Sequence, residues 1–190
     1  EKELLKQILA FSRQAQVERI PIELSGLVKE SLKMLRSSIP STISILEDIE
    51  PNCGVVLADP TQIHQIVMNL CTNAYQAMEA TGGKLSVSLK TTVIDSDEQK
   101  ILGVEPGAYI AFTVADSGVG IGPDAIDKIF DPYFTTKDIG QGTGMGLAII
   151  HGIIKEYGGA ITVESRLGEG ATFQVYLPVV EDMPVPAENG

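Results

Sequence analysis

Five uncharged amide side chains recur along residues 60–78 at the spacing of one helix face. They are three or four positions apart and comprise Gln62, Gln65, Asn69, Asn73 and Gln76. Residues at these intervals lie side by side on an α-helix. Amides offer carbonyl oxygens to a hard cation and NH₂ groups to an anion without carrying a charge. The stripe predicts either a site for a metal and an anion or an ordinary solvated polar face.

A carboxylate ends a predicted buried strand, Tyr109–Asp116. Phe112, Val114 and Asp116 share one parity, so Asp116 points to the apolar side of the strand. An unpaired carboxylate there is unfavourable unless a donor such as the exocyclic amine of adenine satisfies it. The alternative is an Asx turn, in which Asp116 accepts from its own backbone two residues on.

Most of the 19 glycines lie between positions 118 and 170. Gly118, Gly120 and Gly122 follow the carboxylate, and residues 140–147 read Gly-Gln-Gly-Thr-Gly-Met-Gly-Leu before an apolar helix. Backbone N–H groups at a helix N-terminus attract anions, and glycine allows close approach. No Gly-Lys-Ser/Thr follows and no strand leads into the segment, so neither the P-loop nor the dinucleotide fingerprint fits. We predict a phosphate held by main-chain amides.

Residues 130–137 read Phe-Asp-Pro-Tyr-Phe-Thr-Thr-Lys, just before the second glycine cluster. Aromatic residues followed by hydroxyls and a lysine indicate a lid over a ligand. Lys137 would supply a point charge to a terminal phosphate. The alternative is a hydrophobic turn that packs on the domain, which leaves the role of Lys137 intact.

The hydrophobic periodicity predicts which elements position these residues. In order, the prediction is a helix over 1–18, an extended segment Pro21–Leu24, a helix from a Ser25 cap to Ser37, a strand Ile43–Leu46, an extended segment Val55–Leu57, a helix Pro60–Met78 capped by Asp59, a strand Leu85–Val93, a polar loop Asp95–Gly107, the strand Tyr109–Asp116, a helix Gly144–Tyr157 and two strands, Ile161–Ser165 and Thr172–Leu177. This order indicates an α+β fold, a two-layer α/β sandwich whose mixed sheet is covered by helices on one face.

Composition excludes several classes of function. A net charge of −11 argues against a nucleic-acid partner and against a polybasic membrane anchor. Two cysteines are too few for a disulfide framework, which favours a reducing, cytoplasmic location. No apolar run is long enough to span a bilayer, although the full-length protein could still be attached to a membrane through another segment.

Taken in this order, the segments resemble the ATP-binding catalytic domain of bacterial sensor histidine kinases. Residues 69–74 are similar to its N box, 116–121 to the first glycine box, 130–137 to the F box, 142–147 to the second glycine box and 168–173 to the last glycine element. The resemblance covers about residues 20–180. It implies the Bergerat fold of the GHKL ATPases, with ATP bound beneath a lid.

The resemblance also implies residue roles. Mg²⁺ is expected on Asn73 with Asn69 one turn earlier, adenine on Asp116, and a phosphate on Lys137. The other expected cofactor-binding residues are Gly118, Gly120, Ile121, Phe134, Gly142, Thr143, Gly144, Met145, Gly146, Leu147 and Thr172. Two positions depart from the family pattern: Ala171 replaces a common Thr or Ser, and Gln76 replaces a common Lys or Arg.

The activity implied is transfer of the ATP γ-phosphate to a histidine on a dimerisation hairpin, for relay to an aspartate in the receiver domain of a response regulator. Residues 1–18 resemble the end of the second hairpin helix, residues 181–190 form a linker or tail, and the full-length protein is expected to be a homodimer. His64 and His151 lie inside predicted helices, so neither is expected to be the acceptor, and the fragment should not autophosphorylate.

Related ATPases of this fold have a glutamate where this chain has Asn69. An amide cannot act as a general base at neutral pH, which favours phosphoryl transfer over hydrolysis. A GHKL-type ATPase and a nucleotide-binding regulatory module are the alternatives.

Overall fold

The computed structural model describes residues 17–135 and 144–181. Its strands are β1 (Ile20–Glu23), β2 (Ile43–Ile49), β3 (Val55–Ala58), β4 (Gly83–Ile94), β5 (Gly107–Asp116), β6 (Ala160–Arg166) and β7 (Gly170–Pro178). Its helices are α1 (Leu24–Arg36), α2 (Pro60–Met78), α3 (Ser96–Leu102), α4 (Pro123–Ile126) and α5 (Gly146–Glu156).

Five strands form one mixed sheet in the order β2–β4–β5–β7–β6. β2 runs parallel to β4, and the other neighbours are antiparallel. α2 packs against α1, α5 and the central strands, and α5 also packs against β6 and β7. The side chains between these layers are buried, among them Leu85, Leu89, Phe112, Val114, Phe173 and Val175. The predicted α+β sandwich with a mixed sheet is confirmed.

α2 begins and ends as its sequence predicts. Asp59 caps the helix, because its carboxylate accepts from Thr61 N–H at 2.8 Å, and Pro60 takes the first helical position. The helix ends at Met78, before Gly82. Its buried face carries Ile63, Ile66, Val67, Leu70, Cys71, Ala74 and Met78, which leaves the amide stripe facing away from the centre of the core.

The predicted cap of α1 is wrong. The carboxylate of Glu23 caps this helix, accepting from the backbone N–H groups of Ser25 and Gly26 and from the Ser25 hydroxyl. Glu23 reaches them because its backbone remains extended as the last residue of β1. Ser25 is already inside the first helical turn.

The predicted polar loop over 95–107 is also wrong, because it contains α3. Asp95 and Glu98 form a reciprocal capping box at its start, and Gly103 ends it in the left-handed conformation. α3 contacts β6. On the sheet face away from α2, a small second core contains Ile94, Val104, Tyr109 and Ala160, with Leu102 and Tyr176 at its edge. Hydrophobic periodicity does not detect such a helix, because it is short and highly charged and has no apolar stripe.

β1 and β3 pair separately as a two-stranded antiparallel ribbon, a pairing that the sequence did not predict. The predicted helix 1–18 lies outside the described residues apart from Val17 and Glu18, which are not helical. The predicted linker 181–190 lies outside them apart from Glu181. Within the described ranges, no helix has the length and apolarity needed to cross a membrane.

Candidate functional site

One transverse row of the sheet contains Leu85, Asp116, Ala171 and Ser165, from β4, β5, β7 and β6. Directly paired residues of antiparallel strands point to the same face, so these side chains face the helical layer. Asp116 is half-buried there. Burial raises the pKa of its carboxyl, and hydrogen bonds from the backbone of Gly118 and Ala171 oppose that rise.

The Asx turn considered as an alternative is present. The N–H of Gly118 donates to Oδ1 of Asp116 at 2.8 Å. A carboxylate has about four lone-pair sites, so this bond orients Asp116 and still leaves it able to accept from a ligand. The turn and a binding role are therefore compatible.

Three glycines around Asp116 are required by the packing of the protein backbone. A Cβ at Gly118 would overlap the carbonyl of Ala77, and one at Gly120 would overlap the carbonyl of Arg166. A Cβ at Gly170 would overlap the carbonyl of Asp116 itself. Close approach to a ligand, the role expected for Gly118 and Gly120, stays a prediction. Gly170 is a supporting residue to which the sequence assigned no role beyond membership of the last glycine element, 168–173.

Ser165 is a second supporting residue that the sequence did not reveal. Its hydroxyl accepts from the N–H of Ile121 at 2.8 Å and donates to the carbonyl of Gly170 at 2.7 Å. It thus ties the loop after Asp116 to the start of β7. A serine in a strand gives no sequence signal of this kind, since the role depends on which strand lies beside it.

α2 connects the start of α5 to the loop after Asp116. Nδ2 of Asn69 donates to the carbonyl of Gly146 at 3.2 Å. Two turns further along the same face, the carbonyl of Ala77 accepts from Val119 N–H at 3.1 Å. Asn73 lies midway, at four-residue steps from both Asn69 and Ala77. The amide face therefore spans the gap between the two glycine-rich segments.

The amide stripe is half-buried rather than fully solvated. Within residues 17–135 and 144–181, the side chain of Asn73 forms no hydrogen bond, and no group of three or more His, Cys, Asp or Glu is placed to hold a metal. A Mg²⁺ site with few protein ligands is still compatible with this arrangement. Mg²⁺ commonly binds one or two protein oxygens plus substrate phosphates, and the amide oxygen of Asn73 fits such a donor set.

The described part of the aromatic segment, residues 130–135, is attached to the rest of the molecule through Phe130, Tyr133 and Phe134 among others. Phe130 and Phe134 pack against the main core, and the ring of Phe130 lies 5.1 Å from that of His151. The N–H of Tyr133 donates to the carbonyl of Gly144 at 3.0 Å. The alternative interpretation, a hydrophobic turn that packs on the domain, is confirmed for both phenylalanines.

The start of α5 lies beside α2. Among the residues that the structure describes, no side-chain hydrogen bond caps this helix, and Gly144, Met145, Gly146 and Leu147 are all half-buried. The first N–H groups of a helix lack intrahelical partners, so this end suits an anion. Lys137, Gly142 and Thr143 lie outside the described residues.

The structure places Thr172 on the sheet face opposite to Asp116. Thr172 is paired with Ala115 on one side and with Glu164 on the other. Alternation along the strand therefore directs its side chain to the face opposite Asp116. Ala171, one residue earlier, occupies the position beside Asp116, so no hydroxyl from this strand accompanies the carboxylate.

Both histidines take part in packing. Nδ1 of His64 lies 2.8 Å from the Ser31 hydroxyl, which joins α2 to α1. His151 packs against Phe130, and burial together with the nearby Lys155 lowers its pKa. That neither residue accepts phosphate stays a prediction.

Comparison with known proteins gives a family for this chain. Residues 58–181 match the family described as histidine kinase-, DNA gyrase B-, and HSP90-like ATPase. The sensor kinase CckA of Brucella abortus (strain 2308) is 34% identical over 98% of this chain and 20% of that protein. The chain spans between a fifth and about a third of the length of such curated relatives.

Solved structures of histidine kinases are also similar to this chain. The catalytic domain of histidine kinase ThkA is 31% identical with a TM-score of 0.66, covering 85% of this chain and 95% of that one. The structure of ThkA in complex with the response regulator TrrA is 28% identical with a TM-score of 0.67, covering 96% of this chain and 48% of that one. The structure of full-length ShkA in complex with AMPPNP is 28% identical with a TM-score of 0.71, covering 93% of this chain and 35% of that one. The chain therefore belongs to the histidine kinase-, DNA gyrase B- and HSP90-like ATPases and, among these, to the catalytic domains of histidine kinases.

Proposed function

We propose that this chain binds Mg-ATP along the amide face of α2, and that the full-length protein transfers the γ-phosphate to a histidine. The observation that carries the proposal is the line Asn69–Asn73–Ala77. Asn69 is hydrogen-bonded to the start of α5, and Ala77 is hydrogen-bonded to the loop after Asp116. Asn73 lies between an anion-attracting helix end and a half-buried carboxylate, which suits a ligand with phosphates at one end and an amine at the other.

At the base end, Asp116 accepts from the exocyclic amine of adenine. Its orientation is set in advance by the Gly118 bond and by the backbone contact with Gly170. Such preorganisation lowers the entropy lost on binding. Ile121 and Phe134, both packed against the main core, supply apolar contacts to the nucleotide, and Thr172 is not included.

At the phosphate end, the N–H groups of Gly144, Met145, Gly146 and Leu147 face the phosphates, together with Gly142 and Thr143 of the preceding segment. Lys137 adds one positive charge. Asn73, with Asn69 beside it, holds Mg²⁺, which when bound neutralises phosphate charge. The protein thus binds a polyanion with few basic residues, which accounts for a net charge of −11 in an ATP-binding chain.

Phosphoryl transfer depends mainly on positioning and charge stabilisation. Nδ2 of Asn69 is already used as a donor to Gly146, and an amide is no general base. Activation of water at this position is therefore disfavoured relative to attack by an external histidine. We place that histidine on the dimerisation hairpin of the homodimer, outside residues 1–190.

The phosphate is then relayed to an aspartate of a response regulator. The complex of the related kinase ThkA with the regulator TrrA supports such a partner, and the AMPPNP complex of ShkA supports an ATP ligand. The alternatives are an ATPase of the same fold and a nucleotide-binding regulatory module without transfer.

The first test is calorimetric titration of this chain with Mg-AMPPNP and with AMPPNP plus EDTA. Binding by the wild-type chain and loss of its Mg²⁺ dependence in Asn73→Ala are expected. Gln65→Ala is the matched control, because Gln65 is an amide of the same helix but lies outside the line Asn69–Asn73–Ala77 that carries the proposal. Metal-independent binding, or equal effects of both variants, would contradict the assignment of Asn73.

The second test uses the full-length protein and radiolabelled ATP. An acid-labile, base-stable phosphoprotein is expected, and it should disappear in Asn73→Ala. Hydrolysis of ATP by the isolated chain at about one turnover per second, within the ordinary enzyme range, would instead establish the ATPase alternative. Nucleotide binding without either activity would establish the regulatory module.

A further inference from the structure

A group of residues at the far end of α5 connects three parts of the chain. This Tyr157 cluster comprises Arg19, Asp59, Gln62 and Tyr157. The buried Tyr157 hydroxyl accepts from the N–H of Asp59 at 3.0 Å and donates to Oε1 of Gln62. The guanidinium carbon of Arg19 lies 4.9 Å from the centre of the Tyr157 ring, within the range of a cation–π interaction.

The cluster and the Asn69–Gly146 bond hold α2 and α5 together at two places. Gln62 belongs to the first turn of α2 and Asn69 lies two turns later, while Gly146 and Tyr157 mark the two ends of α5. The helices therefore run antiparallel and are joined near both ends of α5. Because a short helix is stiff, loss of the contact at Tyr157 would let α5 shift as a unit and displace Gly146 relative to Asn69.

Arg19 extends this connection to the chain that precedes the domain. Arg19 immediately precedes β1, and β1 pairs with β3, which leads directly into the Asp59 cap of α2. The Arg19 side chain connects residues 17–19 to Tyr157, the residue that ends α5. A displacement of these residues would therefore act on the position of α5.

We infer that Tyr157 and Arg19 are positioning residues for the nucleotide site, and that they make nucleotide affinity depend on the segment before β1. Neither residue touches the nucleotide; both act through the position of Gly146 against the amide face. The inference rests on the proposed binding of Mg-ATP. Because coupling between sites is reciprocal, nucleotide binding should also strengthen the attachment of residues 17–23 to the domain.

The test is titration of the chain with Mg-AMPPNP. Tyr157→Phe removes only the hydroxyl, and Arg19→Ala removes only the cation. Each should weaken nucleotide affinity about threefold to tenfold, the range of coupling effects at residues outside a site. Arg19→Lys retains a cation and should restore most of the affinity lost in Arg19→Ala.

Matched controls separate positioning from general stability. Tyr109→Phe removes another buried hydroxyl, which donates to the carbonyl of Glu105 on the opposite sheet face. Arg36→Ala removes an exposed arginine paired with Glu47. Both variants should leave nucleotide affinity unchanged. Any effect they have should be a lower free energy of unfolding, measured by urea denaturation.

Two further measurements address the coupling itself. In the Arg19→Ala/Tyr157→Ala double variant, the loss of nucleotide affinity should be smaller than the sum of the losses in Arg19→Ala and Tyr157→Ala alone. Mg-AMPPNP should slow hydrogen exchange at the β1 amides of the wild-type chain and not in Tyr157→Phe. Unchanged affinity in both Tyr157→Phe and Arg19→Ala, or a loss equal to that of Tyr109→Phe, would overturn the inference and leave the proposed function intact. Failure of the wild-type chain to bind would overturn both.

Discussion

In the segment after Asp116, Gly118 and Gly120 abut the carbonyls of Ala77 and Arg166. At the start of α5, the nearest neighbour of a Cβ at Gly146 would be the side chain of Asn69, at 3.7 Å. The first two positions exclude a side chain because protein backbone occupies the space. The last has ordinary contact distances, so packing does not require glycine there.

Gly118 and Gly120 are therefore required by the packing of the protein itself, whereas Gly146 is a candidate for contact with a ligand. The loop after Asp116 is joined to α2 and to the β6–β7 turn, through Val119 N–H to Ala77 and through Gly168 N–H to the carbonyl of Val119. The start of α5 has no side-chain cap from residues 17–135 or 144–181. Gly146 thus differs in physical role from Gly118 and Gly120, whereas Gly144 resembles them, because a Cβ there would lie 2.5 Å from the backbone of Tyr133. The following substitutions distinguish the two roles.

The largest expected effect is on stability in Gly120→Ala. Gly120 has φ of 73°, and a Cβ would overlap the carbonyl of Arg166. We expect the free energy of unfolding to fall by about 3 kcal/mol or more, as for strain combined with a backbone clash. Urea denaturation provides the measurement. Gly168→Ala is the control, with φ of 79° and no atom within 4 Å of its Cβ; it should cost about 1–2 kcal/mol. Equal losses would contradict the clash.

The second effect is on nucleotide binding in Asp116→Asn. An amide retains an oxygen for the Gly118 N–H but loses the charge that favours the amine of adenine. Affinity for Mg-AMPPNP should fall about tenfold to a hundredfold, as for loss of a charged hydrogen bond, measured by calorimetry. Unchanged affinity would remove the loop after Asp116 from the binding site altogether.

The same variant gives a pH-dependent stability. Because burial raises the pKa of Asp116, the folded state keeps its proton to higher pH than the unfolded chain. This carboxyl therefore lowers stability as the pH rises from its ordinary value of 3.8 through the raised one. Asp116→Asn should gain stability relative to the wild type across that window and keep a constant advantage above it. A constant difference at all pH values would contradict the raised pKa.

A smaller effect is expected in Gly146→Ala. An alanine has room at this position, so unfolding stability should stay within about 1 kcal/mol of the wild type or rise slightly. If the backbone here faces phosphates, the added methyl should still weaken Mg-AMPPNP binding several-fold. A large loss of stability with unchanged affinity would assign Gly146 to the framework, like Gly120.

The smallest effect is expected in Thr172→Ala. Thr172 lies on the sheet face away from Asp116, so nucleotide affinity should change less than about twofold, below the effect of losing a direct hydrogen bond. Ala171→Ser, on the near face, is the informative partner variant, because it places a hydroxyl beside the carboxylate. A marked loss in Thr172→Ala would contradict the strand register.

Local signals predicted much of this molecule. The Asp59–Pro60 start of α2, the amide face, the parity of Asp116 and the α+β sandwich all depend on intervals of a few residues, which helix and strand periodicities specify directly. α3 and the Glu23 cap escaped prediction because a short charged helix has no apolar stripe and a cap depends on where the preceding strand ends.

The tertiary structure decided which residues meet. Ser165 and Tyr157 carry no motif, and their contacts join residues far apart in the sequence, so no local pattern could reveal them. Register placed Ala171 rather than Thr172 beside Asp116, since a shift of one residue reverses the face of a strand. The sequence by itself determined the chemistry available to this chain; strand register and helix packing decided which groups share one site.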